Sequence, residues 1–284
     1  MNFNEYLDQA WTLHATDSKK VLSEMKSNLL LAETYEDLLS LAHLLNHVAG
    51  VHLGEWSEGI NLMNELKNHK EMKDLTPFDR YITSLSLGKN PDHNLSEISN
   101  PEKARIWAMT ASALGSLGIA RRAKEYLENA KNLALKELDL MDPAHRNIAV
   151  AGNTIASTLE EKTERSPEEN DLMKYAAFIG REFWEKAGTW LEIERAEYRL
   201  ANTFLTLRDF KEATKHAELC LAMVIANGDV ALEGFFGYET IAKIARASGD
   251  ETSYRIAKEK MKEYFYKLSD ADKSWCEKEL LKFI

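Results

Sequence analysis

The stretch LGEWSEGINLMNEL, Leu53–Leu66, closes one helix and opens another. Gly54 stands where a helix ends in a left-handed turn, a backbone shape that strains a residue bearing a Cβ by about 1 kcal/mol or more. Trp56 starts a new apolar run, and Gly59 follows within its first turn. A small residue there is useful when a second helix backbone passes too close for a larger side chain. The stretch therefore reads as a tight turn between two closely crossing helices.

Three further stretches read alike: LGIARRAK from Leu117, LRDFKEAT from Leu207 and SGDETSYR from Ser248. Gly118 and Gly249 correspond to Gly54, Ala123 and Ala213 to Gly59, and Phe210 to Trp56, while Arg208 breaks the glycine pattern. The preceding helices share a stripe. Trp107, Thr110, Ala111 and Leu114 are spaced like Ile148, Ala151, Gly152 and Ile155, and like Tyr238, Ile241, Ala242 and Ala245; Leu200, Ala201 and Phe204 repeat part of it. Ala123, Leu127 and Ala130, then Ala213, Ala217 and Cys220, continue it in the second helices.

This pattern resembles the tetratricopeptide repeat, with its large residue, Leu-Gly-like pair and aromatic, then Ala in the second helix. The resemblance implies an all-α solenoid of stacked antiparallel helix pairs, a superhelix with a concave inner face. It covers residues 35–268, with residues 1–34 as an N-terminal helix pair and 269–284 as a capping helix of one continuous domain. Two departures stand out. The equivalent starts Ala104, His145, Glu194 and Phe235 are 41, 49 and 41 residues apart, against a usual 34, which calls for longer helices. In HLLNHVAGVHLG, His43, Asn46, His47 and Gly50 fall where apolar and small residues are expected.

Composition agrees with helix. Among 284 residues there are only 13 Gly and 5 Pro, and 44% are hydrophobic, enough for a core. Expected helices run from about 3–14, 18–33, 36–53 and 56–68, with TPFDRYITSLSLG and NPDHNLSEIS as a shorter pair. Beyond residue 100 they run 101–117, 119–139, 143–161, 167–187, 190–207, 210–227, 230–248 and 252–268, with Asn100 and Asp142 as N-caps before prolines. The net charge of −10, without a basic block, argues against nucleic acid or an anionic membrane as partner. The N-terminus has no leader pattern and no run nears 18 apolar residues, so the expected location is the cytoplasm. Cys220 and Cys276 show no metal or redox spacing.

No phosphate loop, nucleophile elbow or catalytic carboxylate pair is evident, so no enzyme activity and no cofactor are expected. His43 and His47 have a metal-compatible spacing, with His52 beyond them. Leu44 stands where a zinc protease needs Glu and no third ligand is apparent, so no zinc is expected there.

The candidate site is a polar stripe. RNIAVAGNTI from Arg146 and RAEYRLANTF from Arg195 both place Asn-Thr seven and eight residues on, at Asn153 and Asn202, and RIWAMTASAL from Arg105 has Ser112 there. The stripe lies roughly 200° from the packing stripe. In the family it resembles, that face lines the groove. Tyr198, Lys243 and Arg246 extend it. Asn pairs with peptide backbone and the Arg fork with carboxylates; the alternative is that the arginines pair with neighbours such as Glu102 or Glu194 and the asparagines brace adjacent helices. The expected function is a non-enzymatic scaffold binding an extended, acidic peptide or protein tail. Two alternatives are a peptide-sensing switch, and a homo-oligomer in which the acidic, aromatic MNFNEYLDQAW docks in a neighbour's groove.

Overall fold

The structure is a computed structural model and describes residues 2–283. Every regular element among them is helical. The chain runs α1 (Phe3–Leu13), α2 (Ser18–Asn28), a 3₁₀ turn (Leu29–Leu31), α3 (Tyr35–Asn46), a π-helical segment (His47–Leu53), α4 (Trp56–Lys67) and α5 (Thr76–Lys89). It continues with α6 (Asn100–Ser116), α7 (Ala120–Glu137), α8 (Ala144–Glu160), α9 (Pro167–Ala187), α10 (Trp190–Thr206), α11 (Phe210–Ala226), α12 (Ala231–Ser248), α13 (Glu251–Lys267) and α14 (Asp270–Leu281). From α6 onward, short turns fold each helix back on the one before it, giving the pairs α6/α7, α8/α9, α10/α11 and α12/α13. The first helices of these pairs, α6, α8, α10 and α12, pack side by side in one layer. This is the solenoid-like arrangement expected.

The packing stripe is the core. Thr110, Ala111, Leu114, Ile148, Ala151, Ile155, Leu200, Ala201, Phe204, Ala242 and Ala245 are all buried. Three apolar cores succeed one another: one within residues 6–78, one within 87–244 and one within 235–283. Trp56 of α4 reaches the central core, and Ile241 packs on both the central and the last.

The opening stretch behaves as its glycines require. A Cβ on Gly59 would lie 2.9 Å from the Ala49 Cβ, and one on Gly88 only 2.7 Å from the Trp56 ring. Ala123 and Ala213 are fully enclosed at the corresponding crossings. Gly54, Gly118 and Gly249 all have positive φ, and so does Arg208, at 61°. Arg208 thus keeps the left-handed turn of its glycine counterparts and carries its strain. Arg208→Gly is expected to raise stability by about 0.5–1 kcal/mol, relief of the strain outweighing the extra chain entropy of glycine. Urea denaturation of the two proteins checks this; an unchanged or lower midpoint would remove the strain argument.

Several expectations need correction. NPDHNLSEIS is not helical: Asn90 and Asn94 accept the backbone N–H of Asp92 and Ser96, 3.1 and 2.9 Å away, and these side-chain turns displace a helix. Helix α6 begins at Asn100, so the cap position is Ser99. The helix expected over 36–53 changes at His47 to π geometry. Helix α1 packs in its own chain: Tyr6 and Ala10 are buried with Val21, Leu22 and Met25. The face carrying Tyr6 and Ala10 is therefore engaged within the chain.

Candidate functional site

The residues one place after the equivalent starts are Arg105, Arg146 and Arg195, and the structure gives each a carboxylate near the start of the next first-layer helix. Arg105 stands 3.8 Å from Asp142 and 2.7 Å from Glu102 of its own helix. Arg146 stands 3.6 Å from Glu192 and lies over the Trp184 ring. Arg195 grips Glu233 with two hydrogen bonds, of 2.6 and 3.3 Å. Arg80 of α5 does the same to Glu102, at 2.5 and 2.9 Å. Glu102, Glu192 and Glu233 each lie in the first turn of their helix, where a negative charge also meets the positive end of the helix dipole. The result is a ladder of inter-repeat ion pairs.

This ladder corrects the expected chemistry. The forks of Arg105, Arg146 and Arg195 are already turned to internal carboxylates. Lys243 is 2.6 Å from buried Glu239, and Arg246 donates to the Lys282 carbonyl at 3.3 Å beside the Phe283 ring. The amide of Asn202 donates to the Tyr198 carbonyl of its own helix at 2.9 Å. Asn153 Oδ1 is buried against Gly180 of α9 and has no hydrogen-bond partner.

Three of the stripe residues meet in one cleft. Asn153, Arg195 and Tyr198 line a recess of about 470 Å³ with Glu194, Arg199, Glu233, Phe236 and Trp275. Its wall is aromatic. Tyr198 of α10 meets Phe236 of α12 edge-on at 6.2 Å, and Phe236 stacks on Trp275 of α14 at 5.3 Å. Trp275 is half exposed. Glu194 accepts the Cys220 thiol proton at 2.7 Å through one oxygen, and the other has no partner. Burial, with Glu233 nearby, pushes the Glu194 carboxyl up to about 7. Burial likewise raises Glu160 and Glu239 despite Arg199 and Lys243 beside them. The carboxylates are at least as numerous as the cations, so the lining is not basic.

Sequence reasoning missed Phe236 and Trp275. Phe236 follows Phe235, and the two rings serve different faces: Phe235 is wholly buried, while Phe236 turns to the cleft. Ser112 lines a second cleft of about 400 Å³ with Trp11, His47, Arg80 and Tyr81. Arg105, Arg146, Asn202, Lys243 and Arg246 line neither.

Behind that second cleft, histidines gather. His43 does not pair with His47; its ring faces Tyr81, whose hydroxyl is 3.5 Å from His43 Nδ1. Instead the Nε2 atoms of His47 and His52 are 3.1 Å apart, and His14 joins them from the end of α1. Burial lowers His43 and His52, and with the neighbouring imidazoles takes His47 down to about 4. A third potential ligand is thus present where the sequence showed none. Elsewhere, the His216 and Glu197 side chains, 2.6 Å apart, join α10 to α11, and Arg181 ties α9 to the same Glu197.

No helix among the described residues is long and apolar enough to cross a membrane. No known protein-family model matches the chain, and no curated protein proves similar to it.

Proposed function

We propose that the chain is a non-enzymatic interaction scaffold, akin to tetratricopeptide arrays, which binds an extended peptide segment of a partner protein on its first-layer face. One observation carries this reading: the cleft between α10, α12 and α14 has a continuous aromatic wall, Tyr198–Phe236–Trp275, with Trp275 half exposed at its edge. The anchor that suits the wall is an apolar or aromatic side chain, whose burial there removes apolar surface from water. The internal pairing of the arginines replaces the acidic peptide expected from sequence with a neutral one. The non-enzymatic reading is supported by Cys220, whose thiol is buried and pushed far above its usual range by burial and by Glu194.

Selection of a randomised peptide library on the intact protein tests it. The expected winners share one bulky apolar residue and are poor in Asp and Glu. Trp275→Ala is expected to weaken their binding by about 2 kcal/mol, as for a central aromatic anchor. Failure to enrich any sequence, or binding indifferent to Trp275→Ala, would remove this cleft as the site.

A further inference from the structure

We propose that His14, His47 and His52 form a binding site for a zinc-class transition-metal dication, with solvent in the fourth position. One ligand nitrogen from each can be chosen so that all three lie within 4.8 Å of one another, and no carboxylate or thiol joins the group among the described residues. The three rings are mutually adjacent, with centroids 4.7, 5.1 and 5.2 Å apart.

The backbone explains how they meet. In an α-helix, residues five apart point in different directions, so His52 would turn away from His47. The segment His47–Leu53 is π-helical, with the wider i→i+5 turn. That turn stacks residue 52 over residue 47 and brings their Nε2 atoms to 3.1 Å. Tetrahedral zinc, with Zn–N bonds of 2.0–2.1 Å, sets its ligand nitrogens about 3.3 Å apart. One edge of the tetrahedron is therefore nearly in place. His14 supplies the third corner. Its Nδ1 is hydrogen-bonded to the Trp11 carbonyl, which fixes the proton there and leaves the Nε2 lone pair free. Histidines that hold metals are oriented in this way, by a backbone acceptor on the other ring nitrogen. Trp11 packs against both His14 and His47 and closes one side.

The donor set selects the ion. Three imidazoles suit zinc, copper, nickel and cobalt; calcium and magnesium need oxygen ligands. His14 lies at the end of α1, whereas His47 and His52 belong to the segment following α3, so a bound ion would tie the first helix to the third.

The test uses tag-free, chelator-treated full-length protein. Zinc sulfate titrated in a calorimeter is expected to bind at one equivalent. Cobalt chloride is expected to give the visible bands of four-coordinate Co²⁺, displaced by zinc, and magnesium is expected to give no signal. His52→Asn should weaken zinc binding by at least about 100-fold, the upper end of the effect of losing even an outer-shell partner. His43→Asn should leave it within about threefold, because His43 is not a ligand. His14→Gln, at the end of α1, repeats the test if His52→Asn does not fold. Zinc should also raise the melting temperature of the parent protein and of His43→Asn, but not of His14→Gln. The proposal is overturned by sub-stoichiometric zinc, by binding unchanged in His14→Gln, or by loss of binding in His43→Asn with retention in His52→Asn.

Discussion

Gly152→Ala is expected to destabilise the protein by about 3 kcal/mol, the upper end of the range for overpacking a core. A Cβ at this position would lie 2.6 Å from the Ala176 carbonyl oxygen and 2.6 Å from the Gly180 nitrogen. Both are backbone atoms of α9, so no side-chain rotation can make room. The central core has α8 and α9 at this crossing, with Ile148, Ile155, Ala176 and Ala177 fully buried around it, and separating the helices would open that packing. Gly228→Ala serves as comparison: it meets nothing within 4 Å but keeps a positive φ of 100°, so its effect is purely local strain. Urea denaturation at fixed temperature reads both. A Gly152→Ala midpoint matching the parent would mean that the helices do not approach as described.

The second large effect is a pH dependence. The Glu194 carboxyl is raised by burial from 4.5 to about 7 in the folded chain. Between these two values the folded state holds a proton that the unfolded chain has lost. The contribution of Glu194 to stability therefore falls as pH rises through the window from about 4.5 to about 7, by up to ~3 kcal/mol, and levels off above it, while the lowered histidines act with the opposite sign, so the effect is read as the difference between the parent and a Glu194 variant. Glu194→Gln removes the titration and keeps the shape, including an oxygen for the Cys220 thiol. The variant is expected to be close to the parent at pH 5 and more stable than it at pH 8. Stability curves that run parallel from pH 5 to pH 8 would show that Glu194 ionises freely.

Much of the architecture was written in local signals. The left-handed glycines, the proline starts and the i, i+3, i+4, i+7 stripes each report on a few neighbouring residues, and the helices of residues 100–268 lie close to where those signals place them. The site was less legible because its chemistry joins distant residues. Arg195 and Glu233 are 38 positions apart, and nothing near Arg195 announces that partner. The Arg–Asn stripe was visible as a repeat, and pairing of its arginines with neighbouring carboxylates was one reading of it; the carboxylates in the next repeat that Arg146 and Arg195 reach were not. The approach of His52 to His47 was hidden differently. Read with α-helical periodicity it points away from His47, and only the change to π geometry aligns them. Phe236 and Trp275 carry no local signal of a site, because an aromatic on an amphipathic helix is ordinarily a packing residue.

The ladder changes character at α12. At the position held by Arg105, Arg146 and Arg195 in the earlier helices, α12 carries Phe236, and it meets Trp275 of α14 through a ring stack. An arginine there would reach forward for a carboxylate on whatever helix came next, including one from another molecule. Phe236 has no such reach, and its ring stack on Trp275 replaces the charged link by an apolar one, so the coupling between neighbouring helices passes from salt-sensitive to salt-indifferent at this point of the array.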